Sequence, residues 1–140
     1  MQIDQQIIHF LYEHHLLTLA TSQNNKPYCC NLFYVYDQVS NQLIFSTETK
    51  TKHAQDFIVN TNVAGSVALE TKHVSKIQGV QLLGTIEELK GERLKIAKEQ
   101  YIKAFSYAAN MDLHLWAMPL NFIKMTHNKL GFGKKLIWEK

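Results

Sequence analysis

The chain has 140 residues, 46% of them apolar and 19% charged, with a formal net charge of +3. That balance excludes a disordered chain, and the length fits one domain whose core needs no staple. Arg93 is the single arginine among 15 cationic residues, so recognition of phosphate or bases by an arginine cluster is excluded and nucleic acid is not an expected partner.

The N-terminus, MQIDQQIIHFLYEHH, has no basic n-region and no small-residue cleavage site, so it does not read as a signal peptide. No apolar run approaches the roughly 18 residues of a membrane span, and a cytoplasmic protein is expected. Asp4 caps a short helix with Ile7, Ile8, Leu11 and Tyr12 on one face. Leu16 to Thr21 reads as a strand, Asn24-Asn25-Lys26-Pro27 as a turn, and Tyr28 to Tyr36 as the second strand of a hairpin. Cys29 and Cys30, adjacent on that strand, point to opposite faces and cannot readily bridge each other. The absence of a disulfide framework suits a reducing compartment.

A third strand is expected over Gln42 to Thr47 and a helix from about Thr51 to Asn60, with Ala54, Phe57 and Ile58 at core spacing. Val63 to Leu69 is a fourth strand, and Thr71 to Lys76 a polar loop. Ile77 to Glu88 is a long strand in which Gly79 or Gly84 could mark a bulge. A second substantial helix runs over 91–108, and Trp116 to Leu120, Phe122 to His127 and Leu136 to Trp138 read as closing strands. Short hairpins and many strands with few helices give an α+β class, a small antiparallel β-barrel with helices packed outside.

The stretch FSTETKTKHAQDF, Phe45 to Phe57, concentrates hydroxyls and cations where a strand hands over to a helix. A helix start offers free backbone N–H groups and a positive dipole end. With Thr49, Lys50, Thr51, Lys52 and His53 beside it, that start suits a phosphate monoester. An ordinary N-cap beside solvated lysines is the alternative. His9, His14 and His15 lack metal-ligand spacing, so no metal site is expected. The segment LGFGKK, Leu130 to Lys135, reads as a turn into the last strand, not a phosphate loop.

The series LLTLAT, NNKPYCCNLFYVYD, LIFSTETKTKHAQDF, NTNVAGSVAL and GVQLLGTI resembles the flavin-binding split barrels related to pyridoxamine-phosphate oxidase. Within them it is similar to the YhbP-like group. That likeness includes CxNxFYxxD at Cys29 to Asp37, TxxKTxHAQ at Thr47 to Gln55 and IKxTxNxLGFGKKxxW at Ile123 to Trp138. The resemblance covers nearly the whole chain.

The resemblance implies a six-stranded antiparallel split β-barrel in a single domain over residues 1–140. It also implies a homodimer with cofactor sites at the interface and a small-molecule substrate. The FMN phosphate would be held at the strand-to-helix junction, on Thr47, Lys50, Thr51, Lys52 and His53, with the strand that carries Asn31 beside the flavin ring. Lys52-His53 stands where Arg-Lys is usual, and no arginines are placed for a substrate phosphate, so vitamin-B6 oxidation is not implied. The leading expectation is an FMN-dependent oxidoreductase with no assignable catalytic side chain. The alternatives are a cofactor-free dimer, or a deazaflavin or haem protein with His14, His15 or His127 as axial ligand.

Overall fold

A computed structural model describes residues 2–140. The chain begins with helix α1 (Gln5–Glu13), whose N-cap Asp4 accepts the Gln6 amide at 2.8 Å. Ile7, Ile8, Phe10 and Leu11 are buried, whereas Tyr12, expected on the same face, is exposed and meets Tyr36 edge-on. Strands β1 (Leu16–Gln23) and β2 (Lys26–Phe33) form the expected hairpin around Asn24 and Asn25. Both turn residues have positive φ, 52° and 64°, the backbone that a two-residue hairpin loop requires and that asparagine tolerates.

The second expected strand is in fact two. It breaks at Tyr34, and β3 (Val35–Asp37) continues into a separate pairing with β4 (Gln42–Ser46). Tyr34 turns its buried hydroxyl to the Leu11 carbonyl at 2.8 Å and its amide to the His15 carbonyl, which anchors the break to the end of α1. After β4 come helix α2 (Lys52–Val59) and strand β5 (Asn62–Ala68). Strand β6 (Gln78–Thr85) is followed by the short β7 (Glu87–Glu88), helix α3 (Gly91–Ala104), the long β8 (Leu115–His127) and β9 (Lys135–Glu139).

All pairings are antiparallel, in the order β2-β1-β5-β6-β8-β4-β3, with β7 and β9 also on β8. The curled sheet is the expected split barrel. The extra strands are short: β7 and β9 are added on β8, whose 13 residues serve both halves, and β3 on β4. Leu115 to Pro119 pair with β4, and Leu120 to His127 with β6. The register shifts at Leu83/Gly84, opposite Asn121. Trp116, Met118 and Leu120 point into the main core before the shift, and Ile123 and Met125 after it. One extra residue thus flips the inward parity, and one bent strand reads in the sequence as two. Gly84 is the glycine at this bulge. A Cβ there would sit 2.3 Å from the Pro119 carbonyl oxygen.

Two cores result. Leu43 and Phe45 of β4 face the barrel interior with Leu17, Leu19, Val80 and Leu82. Ile44, between them, faces the other way, into a smaller cluster where α3 places Ala97 and Tyr101 against Leu115 and Ala117. The unbroken apolar run of β4 therefore reflects a strand covered on both faces. At the other end of the sheet order, β2 is an edge with most of its side chains exposed, including Tyr28, Cys29 and Phe33. Cys30 alternates inward against the core, as strand geometry requires, and both thiols are free.

Candidate functional site

The junction between β4 and α2 is built from the backbone outwards. The Thr47 amide donates to the His114 carbonyl at 3.0 Å, and the buried Trp116 indole N–H donates to the Thr47 carbonyl at 2.9 Å. These two bonds fix the end of β4 against the start of β8. Thr51 then caps α2: its hydroxyl accepts the Ala54 amide at 3.2 Å and donates to the Glu48 carbonyl at 2.9 Å. Such a cap contributes about 1 kcal/mol to the helix. It also occupies the Thr51 hydroxyl proton.

The backbone amides of Lys52 and His53 follow the cap and find no acceptor among the described residues. Thr47, 9% exposed, holds its hydroxyl 2.6 Å from His53 Nε2 and 3.4 Å from the Thr51 hydroxyl. Burial pushes the His53 pKa down against the opposing pull of Asp56, so the ring is neutral near pH 7 and serves as a hydrogen-bonding group. Lys52 carries the charge. Its ammonium donates to Asp56 Oδ1 at 2.8 Å and lies 5.2 Å from the centre of the Tyr28 ring on β2.

Asp56 is fully buried, and its second oxygen accepts the Thr21 hydroxyl at 2.9 Å. The Lys52 hydrogen bond, with help from Thr21, holds this carboxyl below the ordinary aspartate value in spite of its burial. Lys50 is exposed and pairs with Glu48 at 3.2 Å, so it stands at the rim.

The structure brings Thr47, Thr51, Lys52 and His53 together, with Lys50 beside them. On β2, Asn31, expected beside the flavin ring, accepts the Thr18 hydroxyl at 2.9 Å and has no hydrogen bond to the junction residues. The residue of β2 that does reach the junction is Tyr28. Asp56, Thr21 and Trp116 also belong to the arrangement, and sequence reasoning passed over them. One signal was available, since Lys52 and Asp56 stand four apart on one helix face. Thr21 and Trp116 are distant in sequence and no local pattern marks them.

The donors at this junction fit an oxyanion. Two unpartnered amides, a half-exposed ammonium and the positive end of α2 converge on one helix start. Elsewhere, His14 and His15 line a cleft of about 420 Å³ with Tyr12, Tyr34, Tyr36 and Phe105. Burial lowers the His14 pKa, which leaves its ring neutral near pH 7. His127 is buried, and its Nδ1 has no partner among the described residues.

No protein-family model matches the chain. It is 39% identical over 136 residues to a UPF0306 protein of Photorhabdus laumondii, covering 96% of this chain and 95% of that one. It is 38% identical over 136 residues to a UPF0306 protein of Serratia proteamaculans, covering 97% and 94%. Among solved structures, a haem-binding protein from Mycobacterium smegmatis superposes with a TM-score of 0.73 at 15% identity. That superposition covers 89% of this chain, which spans about half (52%) of the other protein. A FAD-binding protein from Mesorhizobium loti gives a TM-score of 0.72 at 15% identity, covering 86% and 90%. At such identities these structures establish the split-barrel fold alone.

Proposed function

The chain belongs to the UPF0306 family, and we propose that it is a flavin-binding split barrel that takes FMN by its phosphate at the start of α2. The observation that carries this reading is the pair of unpartnered amides at Lys52 and His53, beside the Lys52 ammonium. The amides would hold two phosphate oxygens. Lys52 would supply positive charge while still donating to Asp56, and the Thr47–His53 pair would keep the imidazole in place. Bound there, the flavin would supply hydride or single-electron chemistry for a small-molecule substrate. The placement in the YhbP-like group rests on the sequence motifs.

A homodimer is part of the proposal. β2 is an edge strand that exposes Tyr28 and Phe33, and Leu16 of the neighbouring β1 is also exposed. A bare apolar edge of this kind is a hazard unless something covers it. A second copy would do so and would bring an interface beside Tyr28 and Lys52. Haem is the second reading, favoured by His14 and His15 in their aromatic cleft.

The absorption spectrum of the purified protein, followed by titration with FMN, riboflavin and haemin, decides between them. Flavin bands, or FMN binding that exceeds riboflavin binding, support the first reading. A Soret band abolished by changing His14 or His15 replaces it with the second. Binding of none of the three refutes both.

A further inference from the structure

Two loops lie side by side at one end of the barrel. Residues 70–77 link β5 to β6, and residues 128–135 carry β8 into β9. Asn128 fastens the two together. Its backbone amide donates to the Ile77 carbonyl at 2.9 Å and its side-chain amide to the Val74 carbonyl at 2.7 Å. Its side-chain oxygen accepts the Gly133 amide at 3.0 Å. The loops therefore present one fixed surface.

That surface is basic. It carries Lys72, Lys76, Lys129, Lys134 and Lys135 against one carboxylate, Glu70, a net charge of +4 where the whole chain has +3. All five lysines are exposed, and none has an ion pair among the described residues. By contrast Lys50, Lys52, Lys90 and Arg93 each stand on a carboxylate. The same surface is apolar. Val74, Ile77, Leu130 and Phe132 are all exposed, and none belongs to either core. Phe132 is 84% exposed at the tip of its loop, between Gly131 and Gly133, both with positive φ. Exposed apolar side chains standing singly are ordinary, but four on two joined loops, among unpaired lysines, form a surface that waits for a partner.

We propose that this end of the barrel docks on an anionic lipid surface. Phe132 and Leu130 enter the boundary between headgroups and acyl chains, and the lysines meet the anionic headgroups with their methylene stems along the rim. A membrane surface supplies both an array of negative charge and an apolar phase beneath it. Nucleic acid would pair the lysines but offer only a stacking face to one ring and nothing to the aliphatic side chains. A tip as exposed as Phe132 provides no pocket for an acidic peptide. The surface shares no residue with the donor-rich start of α2 and does not depend on flavin binding there.

The test is flotation of the purified protein with phosphatidylcholine vesicles, with and without about 30% phosphatidylserine, at about 0.1 M salt. Partition to the anionic vesicles should exceed that to neutral ones at least about tenfold, and about 0.5 M salt should release most of the protein. Phe132→Ser should weaken partition about tenfold, as expected when one phenylalanine leaves an apolar phase. Lys134→Gln combined with Lys135→Gln should weaken it by at least about tenfold, since each lysine near such a surface contributes about fivefold. Two controls should change it by less than about twofold: Val39→Ser, in the β3–β4 turn and 98% exposed, and Lys95→Gln with Lys98→Gln on α3. Every substituted side chain is exposed, so the variants keep the fold, which circular dichroism checks. No vesicle binding, equal binding to neutral vesicles, partition indifferent to Phe132→Ser, or retention on heparin without vesicle binding would each overturn the proposal. So would a dimer that Phe132→Ser dissociates in sedimentation velocity while the wild type ignores vesicles, because the face would then belong to a second copy.

Discussion

Lys52 has two roles in the proposed site, and separating them gives the sharpest test. Lys52→Met keeps the aliphatic stem near Tyr28 and removes the ammonium. A charge-assisted hydrogen bond contributes about 1.5–3 kcal/mol. The Lys52 side chain is 58% exposed and already gives one proton to Asp56, so solvent and pairing place its effect at the low end. We take about 1.5 kcal/mol, or roughly tenfold in FMN affinity. Riboflavin has no phosphate, so its affinity should change little. The ratio of FMN to riboflavin dissociation constants, measured by quenching of flavin fluorescence, cancels any loosening of the fold caused by leaving Asp56 without its partner. Asp56→Asn works in the opposite direction. It keeps a group that can accept from Thr21 and frees the whole Lys52 charge, so the preference for FMN should rise about two- to fivefold. If Lys52→Met leaves the FMN-to-riboflavin ratio unchanged, the phosphate is not held by Lys52 and the reasoning fails.

Asp56 also governs acid stability. Its folded pKa lies below the unfolded value, so its contribution is present above that value and is lost as pH falls through the folded one. Urea unfolding between about pH 5 and pH 2 should show stability falling in the wild type and a flatter profile in Asp56→Asn; parallel profiles would exclude the coupling. Gly84→Ala would drive a Cβ to 2.3 Å from the Pro119 oxygen, a backbone atom of β8 at a position paired with Gln42 of β4. A loss of about 3 kcal/mol and a Tm lower by about 10 °C are expected in thermal melts, and an unshifted Tm would show that the bulge can relax. Burial raises the Cys30 pKa to about 11, while Cys29 is exposed, so a thiol reagent should label Cys29 first in native protein and find two free thiols after denaturation. Labelling of Cys30 first, seen by peptide mass spectrometry, would contradict the packing of β2.

Period and punctuation in the sequence determined most of the element list. The Asn24-Asn25 turn, the capping Thr51, the polar loop after β5 and the glycine turn before β9 act within a few residues of themselves, and local chemistry suffices to place them. The junction residues Thr47, Lys50, Thr51, Lys52 and His53 were legible for the same reason, since a strand meeting a helix gathers them by chain continuity alone.

Only the tertiary structure decided where continuity breaks. Tyr34 interrupts its strand because its hydroxyl finds the Leu11 carbonyl, 23 residues away, and Asn121 joins two apparent strands because a bulge reverses the inward parity of β8. The chemistry of the junction followed the same rule. Thr21 and Lys52 share a buried Asp56, Trp116 clamps Thr47 from 69 residues away, and Asn31 takes its hydrogen bond from Thr18. Those partners meet because the barrel closes. A hydrogen bond between distant strands carries no local periodicity, so the sequence alone could specify the donors at the start of α2 but not which of them the fold leaves free.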